Sequence, residues 1–198
     1  MDVLSAILER KLIAIIRGAR PEEVHAIIES LYAGGVTLVE VTLNSDRALS
    51  VIREAAAVWG DRVLVGAGTV LDADAARAAI DSGARFIISP GLDKETIAAT
   101  RAAGVVSIPG AYTPTEILAA HRFGADIVKV FPASPAYFND LRGPLSHIPL
   151  MPTGGVTLAN IREFRGAVAY GVGSALVGAS LGEITDRARQ YLQKIHDV

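Results

Sequence analysis

Short apolar runs alternate along the chain with longer amphipathic stretches. The runs are residues 12–16, 38–43, 63–65, 86–88, 105–108, 127–131, 148–151 and 168–172. Each has the length and β-branched content of a buried strand. Between them, residues 21–33, 73–82, 94–103 and 115–123 place apolar side chains at helical spacing. Gly34, Gly83, Gly104 and Gly124 follow these stretches, where a left-handed helix cap favours glycine. Residues 1–10 form a further short amphipathic helix. Strands that alternate with helices pair in parallel, and a repeat of roughly 20–25 residues matches the βα unit of a closed barrel. The pattern predicts one (β/α)8 TIM-barrel domain over residues 1–198 with a short N-terminal helix. An open doubly wound sheet is the alternative, and the first strand-to-helix turn lacks the G-x-G-x-x-G that such a sheet often carries.

Composition narrows the chemistry. A formal net charge of −2 gives no electrostatic reason to expect nucleic acid or an anionic membrane as partner. The absence of cysteine removes disulfides, thiolate catalysis and cysteine-bound zinc. There is neither a basic, apolar leader nor an apolar stretch long enough to span a bilayer, so a cytoplasmic protein is expected.

Two charges break the apolar pattern. Lys129 interrupts Ile127-Val-Lys-Val-Phe131, and Glu40 interrupts Leu38-Val-Glu-Val-Thr42. An ammonium in a strand buried on both faces is costly unless it is paired, reaches the strand mouth, or loses its proton. Burial lowers a lysine pKa, and a neutral lysine attacks carbonyls. The plain alternative is a lysine that reaches solvent or pairs with a carboxylate. Strand parity groups Glu40 with Leu38 and Thr42, and Lys129 with Ile127 and Phe131. If both faces point inward, acid and amine meet near the barrel axis.

Barrel chemistry sits at the C-terminal strand ends, and here those ends are polar or glycine-rich: Arg17-Gly18, Gly66-Ala-Gly-Thr69, Ser89-Pro90-Gly91, Pro109-Gly110, Thr153-Gly154-Gly155 and Gly173-Ser174. The last two follow strands seven and eight, where barrels of this class gather backbone amides around a phosphate. A pair of tight turns is the competing explanation.

Taken together, Glu40-Val-Thr, Gly66-Ala-Gly-Thr-Val70, Ile88-Ser-Pro-Gly91, Ile108-Pro-Gly110, Lys129-Val-Phe-Pro132, Pro152-Thr-Gly-Gly155 and Gly171-Val-Gly-Ser174 resemble the 2-keto-3-deoxy-6-phosphogluconate (KDPG) / 4-hydroxy-2-oxoglutarate (KHG) aldolase family. The motifs run in order over nearly the whole chain. The resemblance implies a cofactor-free, metal-independent class I aldolase, a homotrimer, acting on a small keto acid or sugar phosphate. It implies Lys129 as the Schiff-base lysine and Glu40 as the general acid/base. Arg17 and Thr69 fall around the keto acid, Pro90 and Phe131 line the pocket, and Thr153, Gly154, Gly155, Gly173 and Ser174 receive the carboxylate and phosphate ends. KDPG cleavage to pyruvate and glyceraldehyde 3-phosphate is the expected reaction, with 4-hydroxy-2-oxoglutarate as a second substrate.

One departure matters. Where some members of the family read Glu-Val-Thr-Leu-Arg-Thr, this chain reads Glu40-Val-Thr-Leu-Asn44-Ser45. The Leu-Asn-Ser run is similar to relatives acting on the C4 epimer, 2-keto-3-deoxy-6-phosphogalactonate, although Asn44 and Ser45 also suit a plain turn. A phosphosugar isomerase or epimerase on the same glycine rim, needing no imine, and a non-catalytic binding barrel are the more distant alternatives. His25, His121, His147 and His196 show no ligand spacing and fall away from the functional strand ends, so no metal site is expected.

Overall fold

The structure, a computed structural model, describes residues 2–196. Helix α1 (Val3–Arg10) is followed by β1 (Leu12–Ile16), α2 (Pro21–Ala33), β2 (Leu38–Thr42), α3 (Ala48–Trp59), β3 (Leu64–Gly68), α4 (Ala73–Asp81), β4 (Phe86–Ile88) and α5 (Lys94–Ala102). The second half runs β5 (Val106–Ile108), β6 (Gly110–Ala111), α6 (Pro114–Arg122), β7 (Val128–Val130), α7 (Pro135–Arg142), β8 (Leu150–Pro152), β9 (Tyr170–Val172), α8 (Ser174–Val177) and α9 (Leu181–His196).

All strand pairs are parallel, and they go round in chain order as a (β/α)8 barrel. The hydrogen-bond ladder is not continuous around the ring. Six strands, β5-β4-β3-β2-β1-β9, form one sheet and β6-β7-β8 another. A single bridge, Thr153 to Gly171, joins β8 to β9. On the other side β5 ends at Ile108, where the fifth predicted strand ends, and β6 starts the second sheet at Gly110; between them stands Pro109, which has no N–H to donate. Its carbonyl still accepts from Lys129 N at 2.9 Å, so β7 stays in register.

Local signals explain most boundaries. Asp72 and Asp93 cap α4 and α5 by accepting from the amides of Ala75 and Thr96, each at 2.7 Å. Thr113 and Glu116 form a reciprocal capping box on α6, with Pro114 at the first helical position. Gly83, Gly104 and Gly124 are left-handed as expected. After α2 the left-handed residue is Gly35 instead, because Gly34 is a close-approach site: a Cβ there would strike Ala188 and the Thr185 carbonyl on α9.

Strand parity divides the core in two. Leu12, Ala14, Val39, Val41, Val65, Val128 and Val130 face the helices. Ile13, Leu38, Leu64, Phe86, Ile88, Val106, Ile108, Ile127, Met151 and Ala169 fill the interior, and Ala6 and Ile7 of α1 join them as a plug. Among the described residues no helix is long and apolar enough to cross a membrane.

Candidate active site

The interior parity carries each strand upward to its polar residue. Two positions beyond inward-facing Leu38 is Glu40, and two beyond Ile127 is Lys129. Both belong to the closed interior, with relative exposures of 1% and 4%. Register puts Glu40 beside Ile15 and Gly66, and Lys129 between Gly110 and Met151.

Room for the acid comes from the neighbouring strand. A Cβ at Gly68 would fall inside the Glu40 carboxylate, and one at Gly66 would fall inside the Phe86 ring. The two glycines of β3 are spaces that side chains from β2 and β4 occupy. Among the described residues neither carboxylate oxygen of Glu40 finds a hydrogen-bond partner. Burial therefore raises its pKa, and the Lys129 and Arg17 charges only partly counter this. Burial also lowers the pKa of Lys129; Glu40 opposes the shift and Arg17 adds to it. Both groups are pushed toward their neutral forms. The Lys129 Nζ lies 4.9 Å from the centroid of the Phe131 ring.

Arg17 stands at the mouth of β1, where its Nη1 donates to Asn44 Oδ1 at 2.9 Å and Thr69 Oγ1 at 3.1 Å. Thr69 is held at φ +56°, a left-handed backbone that a β-branched residue rarely adopts. Such a conformation costs about 1–2 kcal/mol and tends to occur at functional positions. Next to Arg17, the Gly18 amide donates to Ser45 Oγ at 2.9 Å, and Ser45 Oγ shares a 3.0 Å hydrogen bond with Thr42 Oγ1.

A cavity of about 1060 Å³ opens above these groups. Arg17, Lys129, Phe131, Thr153, Gly154, Gly155, Gly173 and Ser174 all line it. Glu40 and Thr69 do not: the acid stands behind the wall next to Ile15, and Thr69 is linked through Arg17. Pro90 is also set back, with its carbonyl against Gly110, the register neighbour of Lys129. Thr153 is 4% exposed, and among the described residues its hydroxyl has no partner. Gly154 and Gly155 are consecutive left-handed residues, at φ +71° and +102°, which only glycine adopts without strain. The far rim is formed by the first turns of α2 and the segment after α8, where Glu22 and Glu23 are paired with Arg20.

Sequence reasoning missed how much of this depends on empty space. Gly68 and Gly171, the latter facing the Thr153 side chain, are as necessary to the site as the groups they accommodate. The signal was present as glycines spaced by two on an inward face. The tie from Asn44 to Arg17 had no periodic signal. Tyr112 and Tyr137 stack on the same face with ring centroids 4.6 Å apart, outside the cavity lining. Among the described residues no three His, Cys, Asp or Glu side chains cluster as metal ligands would.

Comparison with known proteins agrees with this geometry. The profile of the KDPG and KHG aldolase family matches residues 3–194. A probable 2-dehydro-3-deoxy-6-phosphogalactonate aldolase of Rhizobium meliloti (strain 1021) is 36% identical over 189 residues, covering 91% of this chain and 89% of the relative. A native KDPGal structure superposes with a TM-score of 0.89 at 32% identity, covering 94% of each chain. The KDPG aldolase of Legionella pneumophila, solved with pyruvate captured at low pH as a covalent carbinolamine, gives a TM-score of 0.85 at 27% identity over 94% of this chain and 96% of that one.

Proposed function

The chain belongs to the KDPG and KHG aldolase family, and from that premise we propose that it cleaves 2-keto-3-deoxy-6-phosphohexonates to pyruvate and glyceraldehyde 3-phosphate through an imine on Lys129. The observation that carries this reading is the burial, beside a cavity of substrate size, of an amine and a carboxyl that feel each other's charge, the carboxyl having no hydrogen-bond partner among the described residues.

Neutral Lys129 attacks the C2 ketone, and loss of water leaves a protonated imine. That cation is the sink for the electrons of the breaking C3–C4 bond. Glu40, directly or through a water, takes the proton of the C4 hydroxyl as the bond opens, and the aldehyde departs. The same acid then delivers a proton to C3 of the remaining enamine, and water releases pyruvate and restores the amine. Arg17 meets the planar carboxylate of the keto acid with its fork of donors. Thr153 and the glycine rim at Gly154, Gly155, Gly173 and Ser174 face the rest of the substrate. The capture of pyruvate as a carbinolamine by the Legionella relative supports the covalent step.

KDPG is the first substrate read from the motifs, with 4-hydroxy-2-oxoglutarate sharing the same reacting centre. The C4 epimer, 2-keto-3-deoxy-6-phosphogalactonate, is a second reading, favoured by the Leu43-Asn44-Ser45 run and by the names of the Rhizobium relative and the KDPGal structure. The family resemblance also supports a single-domain, cytoplasmic homotrimer, which sedimentation would test. Incubation with pyruvate and borohydride, followed by peptide mass spectrometry, should place a reduced adduct on Lys129. An unmodified Lys129 refutes the mechanism, and kcat/KM on the three acids then ranks the substrates.

A further inference from the structure

Arg17 has five N–H donors, of which two, both on Nη1, go to Asn44 Oδ1 and Thr69 Oγ1. Its remaining donors have no hydrogen-bond partner among the described residues, and the side chain lines the cavity that holds Lys129. Asn44 thus holds the Nη1 end of a guanidinium whose Nε and Nη2 donors are left over among the described residues. The loop carrying it is itself fixed: Ser45 N donates to the Thr42 carbonyl at 3.0 Å, closing a turn directly after β2. Ser45 Oγ in addition accepts from Gly18 N, so the Asn44-Ser45 pair grips both the side chain of Arg17 and the backbone beside it.

We propose that Asn44 is a positioning residue: by accepting from Nη1 it aims the free edge of the Arg17 guanidinium at the carboxylate of the keto acid bound at Lys129. This rests on the aldolase reading given above. Thr69 makes the second anchor, and its strained backbone is consistent with a conformation kept because the hydroxyl is needed there. Without Asn44 the guanidinium keeps its charge but loses one of its two holds, so the carboxylate must meet a side chain that still has rotamers to lose. The cost falls on keto acid binding and leaves the chemical step alone. A turn residue of purely structural role would lower stability instead and would act independently of Arg17.

The test is the pyruvate dependence of borohydride trapping at Lys129, measured on wild type, Asn44→Ala, Arg17→Lys and the double variant, with a thermal melt of each. Loss of a hydrogen bond to a charged group predicts that Asn44→Ala raises the half-saturating pyruvate concentration about tenfold, with the saturating rate unchanged within about twofold. Arg17→Lys has no fork to aim, so adding Asn44→Ala to it should raise the half-saturation by less than about twofold more. Asn44→Ser keeps a turn-forming residue too short to reach Arg17 and should behave as Asn44→Ala does, which covers the case in which alanine disturbs the fold. An unchanged half-saturation in both Asn44 variants overturns the proposal. So does an equal rise in the wild-type and Arg17→Lys backgrounds. Absence of trapping in wild type would instead remove the aldolase reading and this inference with it.

Discussion

Lys129→Met should give a protein that folds at least as well as its parent and carries out no cleavage. Methionine keeps the volume of the lysine stem, so the packing around a position only 4% exposed is retained. What changes is the electrostatics. Replacing a buried ion pair with apolar groups is often neutral or stabilising by about 1–4 kcal/mol, whereas stripping one partner and leaving the other charged costs about 3–5 kcal/mol. The outcome depends on whether Glu40 stays ionised once the ammonium is gone. Burial already raises the Glu40 pKa, and the Lys129 charge opposes that rise ahead of Arg17. Without it the opposition to that rise weakens, and the carboxyl moves further toward its neutral form. The gain of about 1–2 kcal/mol expected from this balance corresponds to a rise of about 3–6 °C in melting temperature for a chain of this size.

The pH dependence gives the sign independently. Lys129 binds its proton less tightly in the fold than in the unfolded chain. The native state therefore carries the full penalty at low pH, and the penalty fades as pH climbs from the folded value toward the ordinary lysine value. Thermal melts of parent and variant at one protein concentration should show the advantage of methionine at neutral pH and its loss in alkali. Cleavage should fall by at least about a thousandfold, as for loss of any covalent nucleophile. A variant that melts several degrees below the parent at pH 7, with a gap that does not close at high pH, would mean that the amine is charged and bound to Glu40. The proposed nucleophile would then have no physical basis.

Three further outcomes follow from the same geometry. Gly68→Ala places a methyl group where the Glu40 carboxylate lies, so kcat should fall at least about a hundredfold while pyruvate trapping at Lys129 persists. Thr69→Ala and Thr69→Gly both remove one of the two acceptors of Arg17 and should raise KM, but glycine relieves the left-handed strain; it should melt about 3 °C above alanine. The rate of imine formation should rise with pH through a midpoint below the ordinary lysine range, and Arg17→Ala should move that midpoint upward, because the Arg17 charge helps to lower the Lys129 pKa. A midpoint unmoved by Arg17→Ala would show that the Arg17 charge has no part in setting the amine.

The barrel was legible because its signal is redundant: eight runs, each with its own parity, must all bury one face inward and one against helices. The errors fall where glycine or proline stands in a strand. The third strand reads from sequence as residues 63–65 and is observed as Leu64–Gly68, since Gly66 and Gly68 look like loop until Phe86 and Glu40 are seen filling their empty places. The fifth ends at Ile108 as read, but the two-residue β6 (Gly110–Ala111) beyond Pro109 was not read as strand, and the last α/β unit before β9 has a short 3-10 turn at Ile161–Glu163 in place of a full helix. Neither leaves a mark on hydrophobic periodicity, because both depend on backbone hydrogen bonding.

The site was legible to the extent that it obeys parity, and this sets the limits of what charge alone could reveal. Lys129 and Glu40 violate the apolar pattern of their strands, so each announces itself. Arg17 and Asn44 lie in loops 27 residues apart, where polar residues are ordinary, and only the fold joins them. Among the described residues lining the cavity, Arg17 and Lys129 are the only cations, while Glu22 and Glu23 at the far rim are occupied by Arg20. On the proposed reading an anionic substrate therefore meets a full positive charge at its keto acid end. At its other end the glycine rim offers backbone amides and hydroxyls, and among the described lining residues no further cation. With Lys129 disposed to be neutral, the direction in which the substrate enters falls to the one guanidinium, and a residue that fixes where that guanidinium points acts on the reaction without touching the reacting atoms.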